Sequence, residues 1–124
     1  MWDTLFWIYL VNAAFLINHE IDSAYQREWE VFRLPGGVTL FLALHFPILL
    51  LLLWGAVMVY LERPTGIVLS LVLAAAGIFA CAIHTVFIKK GHQAFRAPIS
   101  QFILWGGALI SVVQLGLTLY LMSK

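Results

Sequence analysis

The sequence predicts an all-α fold: an integral membrane four-helix bundle with both termini on the same side of the membrane. The first observation is compositional, because the 124 residues are 63% hydrophobic and only 10% charged. Soluble domains carry about 25% charged residues, so a soluble core of this size could not cover so much apolar surface. The second observation is that the few charged residues leave four long apolar stretches between them. Together these observations exclude a soluble catalytic module.

A membrane-spanning helix takes about 20 mainly apolar residues, and the last three apolar stretches are long enough. The first, residues 4–19, is short, so the first helix is expected either to tilt little or to carry Glu20 and Asp22 to the membrane boundary. The breaks at 34–37 and 62–66 contain Pro and Gly. Proline has no backbone N–H to donate within a helix, and the backbone of glycine is too flexible to favour one. Pro98 suits the first turn of the last helix. The sequence therefore predicts one transmembrane domain, residues 1–124, with helices at about 4–24, 38–61, 65–88 and 99–122 and polar loops at 25–37 and 89–97.

The basic residues indicate how the bundle is oriented. Five of the seven Lys and Arg residues lie in the two polar loops, namely Arg27, Arg33, Lys89, Lys90 and Arg96. Short loops rich in Lys and Arg stay in the cytoplasm. We therefore expect a multi-pass protein of the cell inner (plasma) membrane, with both termini outside and both long loops cytoplasmic.

The net charge of +1 is too small to attract the phosphate groups of a nucleic acid, so no nucleic acid is expected as a partner. The partners that this composition favours are the lipid bilayer, a lipid-like small molecule, and a second copy of the chain or another membrane protein.

All four histidines lie towards the predicted cytoplasmic end. His45 is about 10 Å deep at the helical rise of about 1.5 Å per residue, and an ionisable group at such a depth usually has a function. His19 and Asp22 are one turn apart on one face of the first helix. On the third helix, small residues recur on one face from Gly66 onwards and lead to His84, so His84 is expected to face the bundle.

Imidazole and carboxylate groups gathered at one place favour a divalent metal, either zinc or iron. The candidate ligands are His19, Asp22, His45 and His84. Glu20 is the candidate catalytic residue, as a general base for a metal-bound water acting on a lipid-like substrate. Whether the protein is an enzyme stays open. In contrast, the charged residues of 27–33, Glu28 among them, are expected to form a solvated collar at the membrane surface.

Three other functions fit the same residues. A proton or ion relay could continue outwards along Ser111, Gln114 and Thr118. His45 and His84 could ligate a haem, although both lie near one end of the bundle and no attachment motif is present. The chain could also be a non-catalytic scaffold or small subunit, because stripes of small residues suit close helix contacts in lipid.

The segment 18–25, Asn-His-Glu-Ile-Asp-Ser-Ala-Tyr, is followed by Trp29 and by Leu-Pro-Gly-Gly at 34–37. This pattern resembles small bacterial four-span membrane proteins of uncharacterised function, and it is similar to the HXXEE type, mainly over residues 12–45. Here the motif reads His19-x-x-Asp22-Ser23, with serine in place of the second acid. The resemblance implies a four-helix fold and a site near His19, without a reaction.

Overall fold

The computed structural model describes all 124 residues and consists of helices without strands. Four helices are long and apolar enough to cross a membrane. The predicted all-α fold with four long apolar helices is therefore confirmed, and these helices begin and end within two residues of the expected positions. In chain order the elements are α1 (Trp2–Tyr25), α2 (Glu28–Val31), α3 (Gly37–Tyr60), α4 (Pro64–Lys89) and α5 (Pro98–Met122).

The helix starts follow from local chemistry. Pro64 and Pro98 occupy the first turns of α4 and α5, where the missing backbone N–H has no helical partner to lose. Gly36 precedes α3 with a φ of 88°, a left-handed conformation that favours glycine. The short α2 lies within the segment 25–37, which was expected to be a loop, and it caps one end of the bundle.

Close packing of α4 depends on its small residues. The predicted face is buried along its whole length, from Gly66 through Gly77 to His84. A Cβ added at Gly66 would lie 2.7 Å from the backbone N of Val59 in α3, and one added at Gly77 would collide with the Ser111 hydroxyl of α5. Small residues thus allow α4 to approach both neighbours closely, as in other helix pairs in lipid.

Helix α3 packs tightly at one end only. Its buried residues are Phe41, Leu52, Gly55 and Val59, so three of the four lie in its second half. There the Tyr9 hydroxyl of α1 donates a hydrogen bond of 2.9 Å to the Leu52 carbonyl. Before Pro47, only Phe41 is buried. A cavity lies between this half of α3 and the helices α1 and α4, at the end of the bundle that holds the histidines.

Polar side chains join α1, α4 and α5 near the middle of the bundle. Asn12 Nδ2 donates to Ser111 Oγ at 3.0 Å and to Gln114 Oε1 at 2.8 Å. Gln114 Nε2 in turn donates to the Ser70 carbonyl and hydroxyl at 3.0 and 2.9 Å, and the Ser70 and Thr118 hydroxyls are 2.8 Å apart. All five residues are buried, and each has a partner within this network.

Candidate functional site

Three elements meet where the bundle is open. His19 lies in the last turns of α1 and His84 in the last turns of α4, and both side chains are buried. Arg27 follows α1 with a left-handed backbone, φ 54°, after which Glu28 begins α2. This change of direction brings the Glu28 carboxylate over the two imidazoles, where its side chain is only 16% exposed.

The three side chains form a compact group. Glu28 Oε1 lies 3.5 Å from His84 Nε2, and the ring centroids of His19 and His84 are 4.9 Å apart. One ligand atom from each residue lies within 4.8 Å of the other two. The Nδ1 atoms of both histidines are buried without a hydrogen-bond partner. Buried polar atoms normally have partners, so each imidazole has a nitrogen free to bind a further group.

The electrostatic surroundings favour an ionised Glu28. Burial raises the pKa of its carboxyl, but hydrogen bonds from His84 and Ser23 and the charges of His84 and His19 lower it by more. The net result is a pKa below the usual 4.5. Glu28 is therefore a carboxylate at neutral pH, the form in which it can bind a metal ion.

Aromatic rings enclose the group. The buried Phe95 lies against both imidazoles, with centroid distances of 4.1 Å to His84 and 5.8 Å to His19. Phe32 covers His84 from α2 at 5.7 Å. These rings hold the imidazoles in position and exclude water from them, as apolar surroundings do at metal sites.

His45 and Glu20 form a second polar group in the same region. His45 Nδ1–H donates to the Phe41 carbonyl at 2.7 Å, and the imidazole stacks on the Phe41 ring at 3.9 Å. His45 Nε2 is hydrogen-bonded to Glu20 Oε2. The Phe41 carbonyl can only accept a hydrogen bond, so Nδ1 carries a proton. The hydrogen bond between His45 Nε2 and Glu20 Oε2 contains one further proton, which belongs to either the imidazole or the carboxyl group. The Glu20–His45 pair therefore has no net charge.

Asp22 lies apart from both groups. Its Oδ1 accepts a hydrogen bond of 3.3 Å from Gln26 Nε2, and its Oδ2 is buried without a partner. Of the four candidate ligands, the structure thus brings His19 and His84 together. It places His45 beside Glu20, and it leaves Asp22 outside the three-residue group.

The amino-acid sequence of this chain matches one protein family. The family described as "Family of unknown function (DUF6713)" matches residues 5–121. The chain belongs to DUF6713. No curated protein and no solved structure matches it. The match spans the whole bundle of this DUF6713 protein, well beyond residues 12–45.

One expectation for the DUF6713 chain is wrong. Glu28 was expected in a solvated collar, but it is largely buried and faces the histidines. Its neighbour Glu30 does lie at the surface, 55% exposed and paired with Arg27 at 2.6 Å. The two acids differ because α2 turns only one of its faces to the bundle.

A cavity of about 330 Å³ connects the polar groups of this DUF6713 protein to its apolar interior. The five residues of the two polar groups line it, and most of its other lining residues are hydrophobic. Concave sites with a few convergent polar groups in an apolar wall are typical of small-molecule binding sites. The five residues in question are His19, Glu20, Glu28, His45 and His84.

Proposed function

We propose that this DUF6713 protein binds a divalent transition metal ion, zinc or iron, through His19, Glu28 and His84. The observation that carries the proposal is the convergence of three ligand atoms within 4.8 Å. The two unpartnered imidazole nitrogens support it. Two histidines and one carboxylate are the protein ligands of many catalytic zinc sites and of non-haem iron sites.

We further propose that the metal site acts on a lipid-like molecule in the adjoining cavity. His19, Glu28 and His84 would hold the ion, and a catalytic zinc ion with three protein ligands would supply a bound water with a pKa lowered to about 7. Glu20 lines the same cavity as the three ligands, which supports its proposed role as general base. His45 would orient Glu20 through their hydrogen bond.

Asp22 and His45 remain candidate ligands, because movement of either side chain could bring it to the ion. The unpartnered Oδ2 of Asp22 supports its inclusion. In this proposal the segment from His19 to Asp22 corresponds to the histidine-and-acid end of the HXXEE type.

Metal analysis of the protein purified in detergent tests the proposal. Wild type is expected to hold about one zinc or iron ion per chain. His84→Ala and Glu28→Gln are expected to lose it, because replacing even a group that only hydrogen-bonds to a metal ligand costs about 10- to 100-fold in affinity. His92→Ala is the matched control, since His92 lies in the loop and contacts Phe87 instead.

The results discriminate among the alternatives. Loss of metal from His45→Ala or Asp22→Asn would add that residue to the ligands. A Soret absorption band in wild type would replace the proposed ion with haem. Folded wild type without metal, or full metal content in both His84→Ala and Glu28→Gln, would contradict the proposal.

A further inference from the structure

We infer that the space between α1, α3 and α4 binds a fatty acid, with its carboxylate at the metal end and its alkyl chain along the helices. The inference rests on the proposed metal site for the charge that holds the carboxylate. The shape and polarity of the space are independent of that site.

A second cavity adjoins the one beside the proposed metal site. The second cavity has a volume of about 180 Å³ and only hydrophobic lining residues, among them Tyr9 and Leu52. Leu16, Ile48 and Ala76 line both cavities, so the two meet at these side chains. Together they form one groove, which we call the lipid groove, with titratable groups at one end and apolar side chains at the other. This is the polarity of a single-chain amphiphile.

The length of the lipid groove matches one leaflet. Along α1 it extends from His19 to Tyr9, which is about 15 Å at the helical rise of about 1.5 Å per residue. The hydrocarbon core of a bilayer is about 30 Å thick, so each leaflet contributes about half of that. An acyl chain lying in the groove would therefore reach as deep into the membrane as an acyl chain of the surrounding lipid leaflet.

The lipid groove also opens to the membrane. Leu44 and Ile48 of α3 and Phe79 of α4 line the first cavity, yet they are 51%, 45% and 66% exposed. These side chains lie on the outer surface of the bundle, which faces acyl chains in a bilayer. A lipid-derived ligand can therefore enter sideways between α3 and α4 without passing through water.

Charge selects the head group. Among the groups that line the cavity, which do not include Asp22, a divalent ion and the Glu28 carboxylate leave one positive charge when the imidazoles are neutral, and the Glu20–His45 pair adds none. A net charge in apolar surroundings is costly unless it is paired. One carboxylate neutralises it by taking the open coordination position. Without the metal, Glu28 repels the same carboxylate, so fatty acid binding should require the ion.

The test uses zinc-loaded protein in phosphatidylcholine nanodiscs, with radiolabelled dodecanoic acid and dodecanol as probes. Wild type is expected to retain dodecanoic acid in preference to dodecanol, and to lose this preference after chelation of zinc. Ala76→Phe places a ring where the two cavities meet. Displacing about two methylene groups of the ligand weakens binding about tenfold, so at least that loss is expected, with zinc content unchanged.

Ala75→Phe is the matched control, because Ala75 is the neighbouring residue on α4 and its side chain is exposed on the surface of the bundle. This variant is expected to bind dodecanoic acid as wild type does. Equal binding by the Ala76→Phe and Ala75→Phe variants, or equal binding of acid and alcohol, would overturn the inference.

Zinc content measured on the same samples separates the two proposals. Zinc-loaded wild type that retains no dodecanoic acid would overturn the lipid groove and leave the metal site standing. Folded wild type that takes up no zinc would overturn the metal site, and the selection of the carboxylate with it.

Discussion

Glu28 is the residue that sequence reasoning placed wrongly. The helical faces of α1 and α4 predicted that His19 and His84 point inwards, since their neighbours recur at three and four residues. No such periodicity reaches Glu28, because the regular helix has ended at Tyr25. Its position depends on the left-handed backbone of Arg27, φ 54°, a conformation that only a few per cent of non-glycine residues adopt. The three-residue group could therefore be predicted only in part.

The lowered pKa of Glu28 gives the metal-free protein a specific dependence on pH. A carboxyl whose pKa falls on folding adds to the free energy of unfolding above its usual pKa, here 4.5. That contribution is lost as the pH falls through the lower folded value. Glu28→Gln is therefore expected to be less stable than wild type at neutral pH, and the difference should shrink below about pH 4.5. Denaturation midpoints in detergent, measured across this range, provide the check.

Glu30→Gln is the control for this pH dependence, because Glu30 is 55% exposed and paired only at the surface. It should follow the wild-type curve, since exposed ion pairs contribute little. A constant difference between Glu28→Gln and wild type at every pH would contradict the ionic role of Glu28.

At the scale of elements, the polar side chains on one face of α5 join this helix to α1 and α4. Ser111, Gln114 and Thr118 were expected on one face, and they lie buried on that face. Which partners they would find could not be predicted, because the hydrogen bonds reach Asn12 and Ser70 across the bundle. Periodicity within one helix specifies a face, whereas a network between helices depends on how the helices are rotated against each other.

Gln114→Leu should destabilise the bundle without affecting the metal site. The change removes the hydrogen bonds to Asn12 and Ser70 and leaves their polar atoms buried without these partners. We expect a loss of about 1–2 kcal/mol in the free energy of unfolding, with unchanged metal content. Unfolding by increasing SDS in mixed micelles measures the first quantity and elemental analysis the second.

Val113→Leu tests whether any added leucine on α5 has the same effect. Val113 is the adjacent residue and is 48% exposed. This variant should remain within experimental error of wild type. If Gln114→Leu were as stable as wild type, the network would have no role in joining the helices.

At the scale of the whole molecule, composition and charge spacing predicted the four spans because lipid imposes a simple rule. Backbone groups in the hydrocarbon core must be satisfied within their own helix, so long apolar stretches become helices. The cavity follows no such rule. It lies beside the first half of α3, where only Phe41 is buried, whereas Leu52, Gly55 and Val59 are buried in the second half. Sequence patterns do not specify how closely neighbouring helices pack along their length.

The orientation of the bundle in the membrane is open to a direct test. The positive-inside rule places the open end of the bundle in the cytoplasm and both termini outside. Alkaline phosphatase fused after Lys124 should therefore be active in bacterial cells, and green fluorescent protein fused there should remain dark. The same reporters inserted within 89–97 should give the reverse pattern. A fluorescent fusion at Lys124 would contradict the orientation.

The hydroxyl of Tyr9 has a consequence for ligand size. Its 2.9 Å hydrogen bond to the Leu52 carbonyl ties two helices together at the closed end of the lipid groove. In the proposed lipid groove, the phenol ring would stop an alkyl tail at a fixed distance from the head group. Selectivity for tail length would then depend on this single side chain, far from the chemistry at the other end. A family member with a smaller residue at this position would accept longer tails.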